Sequence, residues 1–120
     1  MRPGWLVPLL LAACAPSAEA RYDLHYAVGR AMRQTDPRDL KLFEDELDVP
    51  YVVLADIHVA MRQETAFGAE PTRADVENEL RVRAARLGAH AIVLVRFGEP
   101  GPGFFTGYEL QGSGRAIRFR

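Results

Sequence analysis

An α+β domain, one helix packed on a mostly antiparallel sheet, is the fold that three stretches of this 120-residue chain predict. Residues 72 to 87 carry the period and the end signals of a single amphipathic helix. Residues 51 to 61 keep an unbroken apolar parity, and residues 89 to 97 are apolar on both parities. In chain order the elements read (β)ββαββ, with the first strand the least regular.

The chain opens with Arg2, a short apolar run from Trp5 to Ala13, and then small residues, which is the order of a secretory signal. A transmembrane helix needs about 20 apolar residues, so this run is too short to span a bilayer. Leu11-Ala12-Ala13-Cys14 resembles a bacterial lipobox, in which the cysteine thiol takes a diacylglyceryl group and becomes the acylated N-terminus after cleavage. Ala18-Glu19-Ala20 is the rival, an A-x-A site whose use would discard Cys14 and release a soluble secreted protein. The lipobox is favoured because it ends in the one cysteine of the chain. Its expected organisation is a signal peptide over 1–13, a tether over 14–39 and an α+β domain over 40–120.

Within the tether Tyr22, Leu24, Tyr26 and Val28 alternate with polar or small residues and make a candidate edge strand. Asp36-Pro37 punctuates, since a residue before proline is pushed out of the helical region. Leu40 to Glu46 is a short candidate strand, closed by the turn at Asp48-Val49-Pro50. In the next strand Tyr51, Val53, Ala55, Ile57, Val59 and Met61 share one parity and are assigned to the core. The other parity starts apolar at Val52 and Leu54 and turns polar at Asp56 and His58, so one end of the strand is covered on both faces and the other meets water.

Thr72 followed by Asp75 is a capping box, and Val76, Leu80, Ala84 and Leu87 form the buried stripe of the helix. Glu77 with Arg81 and Glu79 with Arg83 stand at the spacing of helical ion pairs, and Gly88 ends the helix. The run from Ala89 to Phe97 reads as a central strand, and Gly98 to Gly103 reads as a loop. The last strand, from Tyr108, shifts its apolar parity between Leu110 and Ile117; a bulge near Gly112 and Gly114 would return both halves to one face.

Composition removes several functions. The net charge is −1 with both signs interspersed, so no basic field for nucleic acid exists. A single cysteine excludes an internal disulfide and any paired-thiol metal or redox motif. No nucleophile elbow occurs around Ser17 or Ser113, and Glu44, Asp45, Glu46 and Asp48 form a solvated acidic run rather than an acid and base in separate environments. The expectation is a protein that is not an enzyme and needs no cofactor. For a metal the candidate ligands are Asp56 and His58 on one strand face, with His90 and His25 in other segments. Phe104 and Phe105 after the Gly/Pro loop are candidates for partner contact, since adjacent strand residues point to opposite faces.

Residues 80 to 97 (LRVRAARLGAHAIVLVRF) and 112 to 119 (GSGRAIRF) resemble the YbjQ-like proteins, a family associated with heavy-metal binding. The matching positions are Ala84 or Ala85, Leu87, Gly88, Ala89, Ala91, Ile92 and Val93, then Gly114 and Ala116, and the likeness extends over about residues 38 to 120. A related arrangement is that of RcsF-like outer-membrane lipoproteins, whose disulfides this chain cannot form. The resemblance implies a compact β-rich fold, ring-shaped oligomers in the first branch and a lipoprotein setting in the second. The resulting expectation is a small bacterial envelope lipoprotein, acylated at Cys14, that binds an envelope protein or itself without catalysis. The alternative is an envelope protein that binds a metal or small ligand. Ala15 after the cysteine, rather than Asp, points by analogy with enteric sorting to the outer membrane, facing the periplasm.

Overall fold

A computed structural model describes residues 16–24, 33–63, 68–98, 101–103 and 107–120. Among the described residues six strands and one α-helix follow one another: β1 (Ser17–Leu24), β2 (Lys41–Leu42), β3 (Tyr51–Arg62), α1 (Arg73–Arg86), β4 (Ala91–Phe97), β5 (Gly101–Gly103) and β6 (Gly107–Phe119). They form one sheet in the order β1-β3-β6-β4-β2, with β5 also pairing to β6. Every pairing is antiparallel except that of β2 with β4. The expected fold class is the observed one.

The helix begins as its sequence dictates. Thr72 Oγ1 accepts from Asp75 N–H at 3.2 Å and Asp75 Oδ2 accepts from Thr72 N–H at 2.8 Å, so two orphan donors are satisfied reciprocally. At the other end Ala89 N–H donates to Ala84 O and Gly88 N–H to Ala85 O, the Schellman pattern, which requires Gly88 at φ 86°. The outer carbonyls are used as well: Arg118 Nη1 donates to Gly88 O, and Thr35 donates to Ala85 O from its N–H and to Ala89 O from its hydroxyl. Arg118 also places a cation where the helix dipole is negative. Of the two expected ion pairs, Glu79 to Arg83 forms at 2.7 Å. Glu77 instead pairs with Arg73 at 3.4 Å, because Arg81 turns to Asn78 Oδ1 and the Leu40 carbonyl.

Val76, Leu80, Ala84 and Ala85 bury the inner side of α1 against Ala55, Ile57, Val59 and Met61 of β3 and Leu110 and Ala116 of β6. The helix lies this close because β6 presents almost no side chains beneath it. A Cβ on Gly112 would overlap Val76 Cγ1, and one on Gly114 would lie 2.5 Å from Ile92 Cγ2. These two glycines therefore serve approach rather than turning, which is why the expected bulge at them is absent: β6 runs regularly, and Leu110 and Ile117 belong to opposite faces.

The register irregularities lie in the neighbouring strands. Val53 pairs with Ile117 and Ala55 with Ala116, leaving Leu54 as the extra residue of a bulge in β3. Beyond it the faces exchange, so Tyr51 and Val53 do not share the helix side with Ile57 as a constant parity requires. They join Ala91, Val93 and Ile117 in a second cluster, closed by Phe43, Leu47 and Leu94. A matching extra residue in β4, between Val93 and Arg96, holds Leu94 at φ 53°. The segment from Leu40 to Glu46 contributes a two-residue strand that runs parallel to β4, extended by hydrogen bonds from Phe43 N–H to Ile92 O and from Val95 N–H to Phe43 O. Part of the supposed Gly/Pro loop, Gly101–Gly103, pairs with Gly107 to Glu109 as β5. The edge strand β1 begins at Ser17, within the expected tether, and pairs along its whole length with β3. Tyr26 and Val28 lie outside the described residues.

Two measurements by chemical denaturation follow. Gly112→Ala lowers stability by about 1–3 kcal/mol through overpacking, and the loss in the Gly112→Ala, Val76→Ala double variant is smaller than the sum of the single losses, because the clashing methyl is gone. At Leu94 the usual order of truncations is inverted: Leu94→Gly is more stable than Leu94→Ala, since a left-handed residue with a Cβ costs about 1–2 kcal/mol.

Candidate functional site

The face of the sheet away from α1 is dry at one end and polar at the other. The second apolar cluster covers the end at Tyr51 and Ile117, with Tyr51 and Val53 in the place expected of Val52 and Leu54; Leu54 packs in the helix-side core instead. Beyond it the antiparallel register lines up three polar rows across β1, β3 and β6: Asp23, Asp56 and Arg115; Arg21, His58 and Ser113; Glu19, Ala60 and Gln111. Cross-strand partners share a face, so these side chains all rise from the same surface. Their neighbours on β1, Ala18, Ala20 and Tyr22, point the other way and pack on the core.

Two of the four proposed metal ligands stand on this surface, each with another partner. Asp56 accepts from Arg115 Nε at 2.8 Å and Nη2 at 3.2 Å, a forked pair that clamps β3 to β6. This carboxylate holds the Arg115 guanidinium above its ordinary value. His58 Nε2 lies 3.5 Å from Asp23 Oδ2 on the edge strand. A small cavity of about 110 Å³ lies between Asp56, His58, Leu94, Ser113 and Arg115, and a shallower one of about 600 Å³ continues from His58 over Arg21, Arg96 and Gln111.

His90 is not part of this group. It stands just before β4, where its N–H donates to Ile117 O, its Nδ1 accepts from Phe119 N–H at 3.1 Å, and its ring stacks on Phe119 with centroids 5.6 Å apart. Among the described residues no three His, Cys, Asp or Glu side chains converge as a metal site needs. His25, Cys14, Phe104 and Phe105 lie outside the described residues. Ser113 pairs with His58 across β6 and β3 and Asp23 is the diagonal neighbour of His58 on β1, yet His58 turns Nε2 toward that carboxylate and no hydrogen bond joins Ser113 to it, so the three do not assemble a nucleophile and base.

Sequence reasoning found Asp56 and His58 but missed Asp23 and Arg115, their partners. Both were visible as charges in strand segments; what was hidden was register, which depends on the β3 bulge and on where β1 begins. A groove of about 760 Å³ contains none of the candidate residues. It runs between α1 and β2, past Leu42, Phe43, Arg81 and Val82.

The fold and surface define a small α+β domain with one helix over a sheet whose other face is half apolar and half charged. A crystal structure of the Francisella virulence factor FvfA has this fold, with a TM-score of 0.50 at 15% identity over 85% of this chain and 99% of that one. A DUF74-family protein of unknown function from Pediococcus pentosaceus gives a TM-score of 0.49 at 10% identity, over 68% of this chain and 98% of that one. No family model and no curated protein matches the sequence.

His90 gives a pH test of the fold. Burial first, and the Arg118 guanidinium second, hold its imidazole below the ordinary value of 6.5. The neutral ring is thus favoured in the folded state, and below pH 6.5 the unfolded chain binds more protons than the folded one. Stability therefore falls as pH drops through 6.5 and stops responding to His90 once pH is below the folded value. In His90→Gln this component disappears, so the stability difference between wild type and variant narrows as pH is lowered, measured by denaturation at a series of pH values.

Proposed function

We propose that this chain is a small bacterial envelope lipoprotein, acylated at Cys14, whose domain binds a partner protein or a second copy and catalyses no reaction. The observation that carries this reading is the position of β1. The strand starts at Ser17, three residues after Cys14. Cleavage before Cys14 leaves all eight residues of β1 in the mature protein. Cleavage after Ala20 would remove Ser17–Ala20, half of the strand, and with it Ala18 and Ala20, which pack on the core opposite Met61 and Val59. The lipobox and the fold are mutually consistent; the A-x-A site and the fold are in conflict. A periplasmic face of the outer membrane and the RcsF-like setting belong to this reading, supported by the residues around Cys14. The polar rows of the exposed sheet face and the groove beside β2 are the surfaces available for a partner.

The second reading is a metal- or small-ligand-binding envelope protein that uses Asp56 and His58. What favours it is the small cavity between them. Against it, both side chains already have partners, and His90 lies elsewhere.

Metabolic labelling with palmitate separates the anchored form from the secreted one: wild type is labelled and Cys14→Ser is not, whereas label surviving in Cys14→Ser ends the lipoprotein reading. Titration with Zn²⁺, Cu²⁺ or Ni²⁺ leaves the melting temperature unchanged if binding is to protein alone; a saturable rise lost in His58→Ala establishes the metal reading instead.

A further inference from the structure

We infer that the sheet end carrying Ser17, Arg62 and Glu109 rests directly on the lipid headgroups. This inference builds on acylation at Cys14 as proposed above and adds which surface of the domain meets the membrane.

The short stretch of chain between Cys14 and β1 limits how far the domain can stand from the lipid. From Cys14 to Ser17 there are three Cα–Cα steps of about 3.8 Å each, so Ser17 lies at most about 11 Å from the acylated residue. The glyceryl group that the cysteine carries sits in the headgroup layer, which is itself about 5–8 Å deep on each side of the hydrocarbon core. Only about 3–6 Å of reach is then left beyond the headgroup layer, too little for a flexible tether. Ser17 is also not a loose end: it pairs with Arg62, which pairs in turn with Glu109, and β1 stays in register with β3 for all eight of its residues. The anchor is thus transmitted rigidly to three adjacent strands.

That row has chemistry suited to a headgroup layer. Exposed Arg62 pairs with half-buried Glu109 at 3.7 Å, offering one cation and one anion to zwitterionic lipid. The chain just beyond Arg62 is held in place, since Gln63 is buried and donates from Nε2 to Gly68 O at 2.8 Å. At the far end of the sheet Tyr51 pairs with Phe119, and Val49 is exposed nearby. Tyr51 and Arg62 are the two ends of the 12-residue β3, eleven steps or about 37 Å apart at 3.4 Å per residue. A domain standing on its Ser17 end therefore holds Val49 well clear of the bilayer.

The test uses the full chain purified from membranes, in which acylated Cys14 has no free thiol, so that one added cysteine takes one label. Arg62→Cys and Val49→Cys are labelled with an environment-sensitive fluorophore and reconstituted into phosphatidylcholine vesicles bearing a headgroup quencher. The expected result is that the label at 62 loses most of its emission and the label at 49 keeps its own. Glu109→Cys repeats the measurement in the same row if Arg62→Cys folds poorly. A flexible Gly-Ser segment inserted between Pro16 and Ser17 should restore emission at 62 while the protein stays membrane-bound. Acylated, membrane-bound protein with equal emission at 62 and 49 overturns the inference and leaves the lipoprotein reading intact. An N-terminal mass without acyl chains overturns both.

Discussion

The close seat of α1 on β6 is the constraint on which the rest of the structure depends. β6 is the middle strand of the sheet and carries the pairing of β3, β4 and β5, yet toward the helix it presents Gly112, Gly114 and Ala116. Small residues in a strand weaken it by themselves, through entropy and missing contacts. Here the deficit is filled from outside, because Val76 and Ile92 occupy the space that side chains on β6 would take. The Schellman turn at Gly88 then has to return the chain at once into β4, beside the strand that the helix covers. Arg118 of β6 closes the loop of dependence by satisfying the Gly88 carbonyl. Helix position, turn geometry and strand order are thus fixed by one set of contacts.

With α1 filling one face, the two bulges decide what happens on the other. Each adds one residue to a strand beside β6, and each lies near the boundary between the dry and the polar ends of the opposite face. Before the β3 bulge, Tyr51 and Val53 face the second cluster; after it, Asp56, His58 and Ala60 take over that side while Ala55, Ile57 and Val59 go under the helix. Because of the bulge, the residues that meet Phe43 and Leu47 at one end are Tyr51 and Val53, of the parity that beyond Leu54 turns under the helix. The left-handed Leu94 is the backbone cost of doing the same in β4, and its side chain contributes to the second cluster.

This explains what could be read from the sequence and what could not. The helix was legible to the residue at its cap because Thr72, Asp75 and Gly88 are local signals that act within one turn. The fold class was legible for the same reason, since alternation and helical period survive any register. Parity across a bulge was not legible: Leu54 looks like any strand leucine, and only pairing with β6 reveals that it is the extra residue. Gly112 and Gly114 looked like bulge formers because a glycine inside a strand has two meanings, and which one applies depends for Gly112 on Val76, 36 residues earlier in the chain, and for Gly114 on Ile92. The site followed the same division. Asp56 and His58 were visible as polar positions on a strand face, but their partners Arg115 and Asp23 are set by register alone. His90 looked like a ligand from its type and proved to be a hydrogen-bond acceptor for the backbone of β6.

The edge strand β1 joins the question of fold to that of location. An edge strand has one free side, so its hold on the sheet comes from pairing with a single neighbour and from the residues it buries. In β1 those residues are Ala18, Ala20 and Tyr22, and Tyr22 is reinforced by Arg83 of the helix, whose guanidinium is held above its ordinary value by Glu79 first and by the tyrosine hydroxyl as well. A cut after Ala20 keeps Tyr22 but strips the strand opposite Val59 to Arg62, leaving the backbone of that part of β3 as the new edge. Buried Val59 and Met61 would lose their cover from Ala20 and Ala18. Anchored and secreted forms would therefore differ in structure as well as in address. Retaining the strand requires a mature chain that begins before Ser17, which the proposed cut before Cys14 would leave and a cut after Ala20 would not.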